Sequence, residues 1–122
     1  MNIYQEQILE HYQNPLNQEK IKNPTHKHCG QNSSCGDSLC FDLKIEDDKI
    51  KDISFSGEGC AISQASASML SEKVKNMNTE SIKNLTKDDI LKMIELELSP
   101  TRLKCALLSL EILQKTLEDN QS

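Results

Sequence analysis

The apolar residues of this chain change from strand-like to helical spacing at residues 57–60. Before this point, residues 39–45 alternate apolar and polar side chains, which predicts a strand with one buried face. Asp47-Asp48 supplies a tight connection to a second strand at about 50–55, antiparallel to the first. After the change, apolar residues recur at helical spacing and predict a helix over about 61–75. Strands followed by helices in one short chain indicate an α+β fold.

Further helices flank this central region. Residues 2–13 predict a short amphipathic helix, and the polar residues 14–34 are interpreted as loop or irregular edge structure. Thr79 and Thr86 are predicted N-caps of two short helices. Ser99-Pro100 begins a long C-terminal helix, because proline suits the first helical position. We therefore expect a small antiparallel sheet of about three strands, packed against several helices.

Composition restricts the class of protein. The 122 residues are expected to form a single domain, residues 1–122, and the net charge of −5 argues against nucleic acid as a partner. No apolar run approaches the roughly 20 residues of a membrane span, and the N-terminus lacks signal-peptide character. Five unevenly spaced cysteines do not resemble a secreted disulfide scaffold. We expect a cytoplasmic protein with reduced thiols and no membrane partner.

Three cysteines lie where one predicted element gives way to the next. Cys35 precedes the first strand, Cys60 lies between a strand and a helix, and Cys105 is early in the last helix. The positive end of a helix stabilises a thiolate, which is the form that binds metal or accepts sulfur. Asp37 is two residues from Cys35 and can share a centre with it. Three thiolates and one carboxylate suit zinc or the iron of an iron–sulfur cluster. Each residue also has a structural alternative, namely burial of a cysteine or capping of a turn by the aspartate.

The residues around these positions form a more specific pattern: CGD at 35–37, GEGCAISQASAS at 57–68 and RLKCA at 102–106. This pattern resembles the U-type iron–sulfur cluster assembly proteins over residues of about 3–118. The resemblance implies that Cys35, Cys60 and Cys105 are ligands and that Asp37 is the fourth. It implies persulfide sulfur from a cysteine desulfurase, with Cys35 and Cys105 as candidate acceptors. It further implies iron (Fe²⁺), zinc or a transient [2Fe–2S] cluster, and downstream cluster-assembly or carrier proteins as partners.

The chain shares features with two branches of that family. Lys104 stands where the scaffold branch has a histidine, and with Arg102 it is closer to the Suf-type branch. That branch carries an insertion, yet only 44 residues separate Cys60 from Cys105. In the scaffold branch an Hsp70-type chaperone binds a motif at the position of residues 98–102. This chain has LSPTR there instead, which argues against such a chaperone as a partner. Lys104 and Arg102 have two possible interpretations. Both either act on the site or are solvated helix residues. If Arg102 acts on the site, it steers an anionic persulfide or pairs with an acidic residue.

The remaining cysteines and histidines are outside this pattern. Strand parity places Cys40 on the polar face, away from the core, so we do not expect it to be a ligand. Cys29 follows His26 and His28 and forms a short candidate metal motif of low specificity. His11 is interpreted as a helix-surface residue.

Three functions remain open at this point. The leading hypothesis is an assembly scaffold that accepts sulfur and transiently holds a cluster. The alternative is a zinc-dependent sulfurtransferase that relays sulfur to a separate scaffold. A third is a small domain whose zinc only stabilises the fold, which a change of Asp37 to alanine tests through its effect on stability.

Overall fold

The computed structural model describes residues 2–32 and 36–118. They form five helices and three strands, in the order α1 (Ile3–Gln13), β1 (His26–Asn32), β2 (Asp37–Glu46), β3 (Lys49–Glu58), α2 (Ala61–Lys73), α3 (Thr79–Lys83), α4 (Lys87–Ile94) and α5 (Pro100–Glu118). The α+β prediction, with its N-terminal helix and long C-terminal helix, is confirmed. None of these helices combines the length and apolar composition that crossing a membrane requires.

The sheet is antiparallel, with β2 between β1 and β3. Asp47 and Asp48 both have positive φ, 53° and 60°, as a tight two-residue hairpin connection requires. The register of β2 and β3 shifts between Lys44 and Ile45. This bulge adds one residue to β3, and for that reason Ile50 and Ile53 are both buried although they are three residues apart. The apolar residues of β3 therefore do not alternate strictly in the sequence because this strand contains a bulge.

Strand β1 corrects the interpretation of residues 14–34 as loop or irregular edge structure. Residues 26–32 pair with β2 along their full length, from His26 opposite Leu43 to Asn32 opposite Asp37. Half-buried and exposed residues alternate along β1, because successive side chains of a strand point to opposite faces of the sheet. An edge strand with polar residues on both faces has no apolar alternation by which the sequence could reveal it.

The helix boundaries follow local capping. Thr86 caps α4 in a reciprocal capping box with Asp89, as predicted. The N-cap of α3 is Asn78, whose side chain accepts a hydrogen bond from the Glu80 N–H; Thr79 is the first helical residue, so the predicted cap was wrong by one position. Pro100 is the first residue of α5, as predicted.

The core lies between the sheet and two helices. Helix α5 packs on β1 and β2, α2 packs on α5 and β3, and α1 packs on the other side of α2. Helix α2 is therefore covered on several sides, and residues 62–71 are all buried. Its many alanines and serines permit this close packing, and the N-terminal end of α2 is held firmly beside the sheet.

Candidate metal and sulfur site

Asp37, the first residue of β2, points toward the helices. It shares a strand face with Leu39, Phe41 and Leu43, and all four side chains are fully buried. Gly36, just before it, has φ of 72° and lets the chain turn into the strand. A carboxyl group is rarely buried unless it has polar partners. The buried Asp37 carboxyl group therefore requires polar partners from the helices that it faces.

Cys60 supplies part of that environment. It is the N-cap residue of α2, and its backbone N–H donates a hydrogen bond of 2.8 Å to Asp37 Oδ1. Its thiol lies 3.6 Å from Asp37 Oδ2 and 3.9 Å from the Ser63 hydroxyl. Because the start of a helix favours negative charge, the end of α2 suits both a carboxylate and a thiolate. Ser63, one turn into α2, is a contact of the site that sequence reasoning missed.

Gly59 permits this close approach. Its φ of 149° is in a region that side chains rarely adopt. A Cβ atom at residue 59 would overlap Asp37 Oδ1 and would lie 2.7 Å from Asp37 Cγ. Only glycine at residue 59 therefore allows Asp37 and Cys60 to approach each other this closely.

Cys105, in the second turn of α5, completes the group that the structure describes. One ligand atom from each of Asp37, Cys60 and Cys105 lies within 4.8 Å of the other two. Two sulfurs bound to one tetrahedral zinc lie about 3.8 Å apart, given a Zn–S bond of about 2.3 Å. The ligand atoms of the group are thus only slightly farther apart than the ligands of a bound zinc ion, and small side-chain movements suffice to bring them to that spacing. Two soft sulfurs and one carboxylate fit zinc or iron.

The three side chains differ in accessibility. Asp37 is fully buried and Cys105 is 2% exposed, whereas Cys60 is half-buried. Among the described residues of the group, Cys60 is therefore the most accessible. Cys35, the remaining predicted ligand, lies outside the described residues.

Arg102 and Lys104 are both exposed on the first turns of α5. The Arg102 backbone N–H donates to the Ser99 hydroxyl at 3.3 Å, and its guanidinium forms no ion pair within residues 2–32 and 36–118. Lys104 lines a cleft of about 330 Å³ between α5 and the end of β1, together with Gln31 and Glu111. Lys104 therefore faces this cleft, of which Cys105 is not a lining residue, while Arg102 is a solvated residue of the first turn.

Cys29 and Cys40 form a disulfide, so the expectation of reduced thiols does not hold for this pair. The two residues are opposite each other in the register of β1 and β2. Cys40 lies on the face opposite the core, as its strand parity predicted. The candidate motif of Cys29 with His26 and His28 is not among the groups placed to bind metal in the described part of the chain.

A polar contact joins α1 to the middle of α2. His11 Nδ1 lies 2.8 Å from the hydroxyl oxygen of the buried Ser68, which also accepts a 2.9 Å hydrogen bond from the Leu16 N–H. Burial lowers the pKa of His11, although Glu10 and Glu72 act in the opposite direction. His11 is therefore half-buried and bonded, and its interpretation as a surface residue was wrong. Its partner is distant in sequence, and no local signal marks the contact.

The chain is similar to a known protein family and to named members of it. The model of the NifU-like N terminal domain matches residues 3–122. The zinc-dependent sulfurtransferase SufU of Bacillus subtilis is 32% identical over 93% of this chain and 88% of its own length. The iron–sulfur cluster assembly scaffold protein IscU of Aquifex aeolicus is 35% identical over 95% of this chain and 74% of its own length. The alignment with the Bacillus protein spans 130 positions, so that relative has residues with no counterpart in this shorter chain.

A solved structure shows the same fold. The crystal structure of a putative iron–sulfur cluster assembly scaffold protein for the SUF system, from Fervidobacterium islandicum, superposes with a TM-score of 0.78. It is 28% identical, and the match covers 92% of this chain and 94% of that one. The motifs, the fold and these similarities agree: the chain belongs to the family of NifU-like N-terminal domains, the U-type proteins of iron–sulfur cluster assembly.

Proposed function

We propose that this chain is an iron–sulfur cluster assembly protein. It accepts persulfide sulfur from a cysteine desulfurase and transiently binds iron, a [2Fe–2S] cluster or zinc through Cys35, Asp37, Cys60 and Cys105. The observation that carries this proposal is the convergence of Asp37, Cys60 and Cys105 within 4.8 Å, although they come from three separate elements. Residues 1–122 act as one domain in the cytoplasm and deliver the product to downstream cluster-assembly or carrier proteins.

Sulfur acceptance needs a thiolate and an accessible approach. The thiolate of Cys35 or Cys105 attacks the outer sulfur of the desulfurase persulfide, and the desulfurase cysteine leaves as a thiolate. The acceptor then carries the persulfide. Since Cys105 is 2% exposed, it accepts sulfur only when α5 or its surroundings open. Asp37 is a harder ligand than a fourth thiolate, so it favours release of the cargo over permanent storage.

A sulfur relay is the second candidate function. It is favoured by the similarity to the Bacillus zinc-dependent sulfurtransferase and by Lys104, which stands where the scaffold branch has histidine. In this function Cys35, Asp37, Cys60 and Cys105 would hold zinc, and the desulfurase would displace one of the cysteines, which would then be free to accept sulfur. The persulfide sulfur then passes to a separate scaffold, and no cluster forms on this chain.

One experiment separates the two functions. The protein is purified without oxygen, and its zinc, iron and acid-labile sulfide are measured before and after incubation with ferrous iron, a desulfurase and excess cysteine. The excess cysteine thiol is the reductant that converts persulfide sulfur to sulfide. A scaffold gains iron and sulfide in equal amounts and absorbs in the visible. A relay keeps zinc, gains persulfide sulfur and shows no such absorbance. A protein that takes up neither metal nor persulfide refutes both functions.

Variants of two aspartates on β2 locate the site. Asp37→Ala removes the buried carboxyl that accepts the Cys60 N–H, whereas Asp42→Ala removes a half-buried carboxyl from the opposite face of the same strand. We expect Asp37→Ala to change the metal content and to hold an assembled cluster longer, and Asp42→Ala to match the wild type. Unfolding of Asp37→Ala upon metal removal, with a folded wild-type apoprotein, would instead indicate a structural metal.

A further inference from the structure

The disulfide between Cys29 and Cys40 is separate from the proposed metal site. Both residues are outside the four predicted ligands, and they are opposite each other on neighbouring strands. Their Cα atoms are 4.0 Å apart. The hydrogen-bonded register of β1 and β2 therefore holds the two sulfur atoms within reach of each other whether or not they are bonded. Such a pair can open and close without rearrangement of the sheet.

The pair is also accessible to small thiols. It lies on the open face of the sheet, because Cys40 alternates with Leu39 and Phe41, which face the helices. Cys29 is exposed and Cys40 is half-buried, in contrast to the buried Cys105 of the metal group. A small thiol or disulfide therefore reaches Cys29 without entering the site around Asp37.

The disulfide closes the hairpin that bears two of the predicted ligands. It joins residues that are 11 positions apart, and the chain between them contains Cys35 and Asp37. Strand β1 pairs only with β2 in the sheet, so the disulfide is a covalent link between an edge strand and the central strand. Without it, β1 depends on its hydrogen bonds and on packing against α5. Edge segments of this kind open more readily than core strands.

We propose that Cys29 and Cys40 are a reversible dithiol–disulfide couple that controls how firmly this hairpin holds Asp37, and hence how long the site retains metal. The part that concerns metal rests on the proposed function. Persistent disulfides are rare in the cytoplasm, where disulfides are usually transient or redox-sensing. A couple that responds to the thiol pool agrees both with that compartment and with the geometry of the pair.

The oxidant is a low-molecular-weight disulfide. The Cys29 thiolate attacks one of its sulfurs, forms a mixed disulfide and releases one small thiolate. The Cys40 thiolate then attacks the Cys29 sulfur, closes the protein disulfide and releases the second small thiolate. The two protein thiols lose two electrons and two protons, and the small disulfide becomes two thiols. An excess of the small thiol reverses both steps.

The test uses zinc-loaded protein equilibrated with mixtures of reduced and oxidised glutathione. Alkylation and peptide mapping follow the 29–40 cross-link, calorimetry follows the melting temperature, and a chromophoric chelator follows zinc release. We expect the cross-link to form and open reversibly, and the oxidised protein to melt about 10 °C higher, from the entropy of a loop of this length. We expect zinc release to be roughly tenfold slower when the hairpin is cross-linked.

Cys29→Ser and the double variant Cys29→Ser/Cys40→Ser are the controls. Neither variant can form the 29–40 cross-link, so neither should show the higher melting temperature or the slower zinc release at any glutathione ratio. Failure of the cross-link to form in oxidised glutathione overturns the couple, and equal zinc release from oxidised and reduced wild type overturns its control of the site. If no form binds zinc, metal binding and its control both fail, while the mapped cross-link and the melting shift still decide whether the couple exists.

Discussion

Replacement of Gly59 by alanine tests whether the close approach of Asp37 to Cys60 determines the site. The backbone at residue 59 has φ of 149°, and an alanine there costs about 1–3 kcal/mol in strain. The new Cβ would overlap Asp37 Oδ1, so Asp37 must move and lose its hydrogen bond from the Cys60 N–H. A hydrogen bond to a carboxylate contributes about 1.5–3 kcal/mol. The expected loss is about 3–5 kcal/mol, or about 15 °C in melting temperature for a domain of this size.

Gly36→Ala is the matched control for this substitution. Gly36 also has a positive φ, 72°, but a Cβ there has no described atom within 4 Å. Gly36→Ala therefore reports backbone strain alone, at about 1–2 kcal/mol. Calorimetry measures both variants, and competition with a chromophoric chelator measures their zinc affinity. Equal stability and equal zinc affinity of Gly59→Ala and Gly36→Ala would refute the reasoning, because the overlap with Asp37 would then have no effect.

The other predictions concern α1, α2 and α4. Since burial lowers the pKa of His11, the unfolded chain binds the extra proton more readily, and stability should fall as the pH drops from about 7 through the ordinary histidine pKa of about 6.5. Urea unfolding at several pH values in this range should show that the free energy of unfolding depends less on pH in His11→Gln than in the wild type. An equal pH dependence of the two proteins would contradict the assignment. Ser68→Ala should cost about 1–3 kcal/mol by leaving buried partners unbonded. Ser66→Ala is its control and should be nearly neutral, because the buried Ser66 hydroxyl has no hydrogen-bond partner among residues 2–32 and 36–118. Equal losses of stability in urea unfolding would count against the role of Ser68. Hydrogen bonds from the Thr86 N–H and hydroxyl lower the pKa of Asp89. The stabilisation of α4 by the Asp89 carboxylate is therefore present above the ordinary carboxyl pKa and is lost as the pH falls through the lowered value. Asp89→Ala should reduce the helical circular dichroism at pH 6 more than at pH 3, and equal reductions would argue against the capping box.

Local features of the chain were sufficient to predict most elements. The alternation at 39–45, the helical period after Cys60 and the cap at Thr86 are signals carried by neighbouring residues, and the structure confirms each. Strand β1 was missed because its pairing partner, and not its own composition, makes it a strand. Polar edge strands carry little hydrophobic pattern, so their pairing is visible only in three dimensions.

The sequence by itself determined the α+β class, the family and the residue types suited to binding metal and sulfur. Only the tertiary structure decided that Asp37, Cys60 and Cys105 converge, that Gly59 makes room for them, and that Cys29 bonds to Cys40 across the sheet. Periodicity and capping depend on side chains a few positions apart, and the sequence shows these directly. Convergence and cross-strand bonding depend on how distant segments pack around one core, which no local pattern in the sequence specifies.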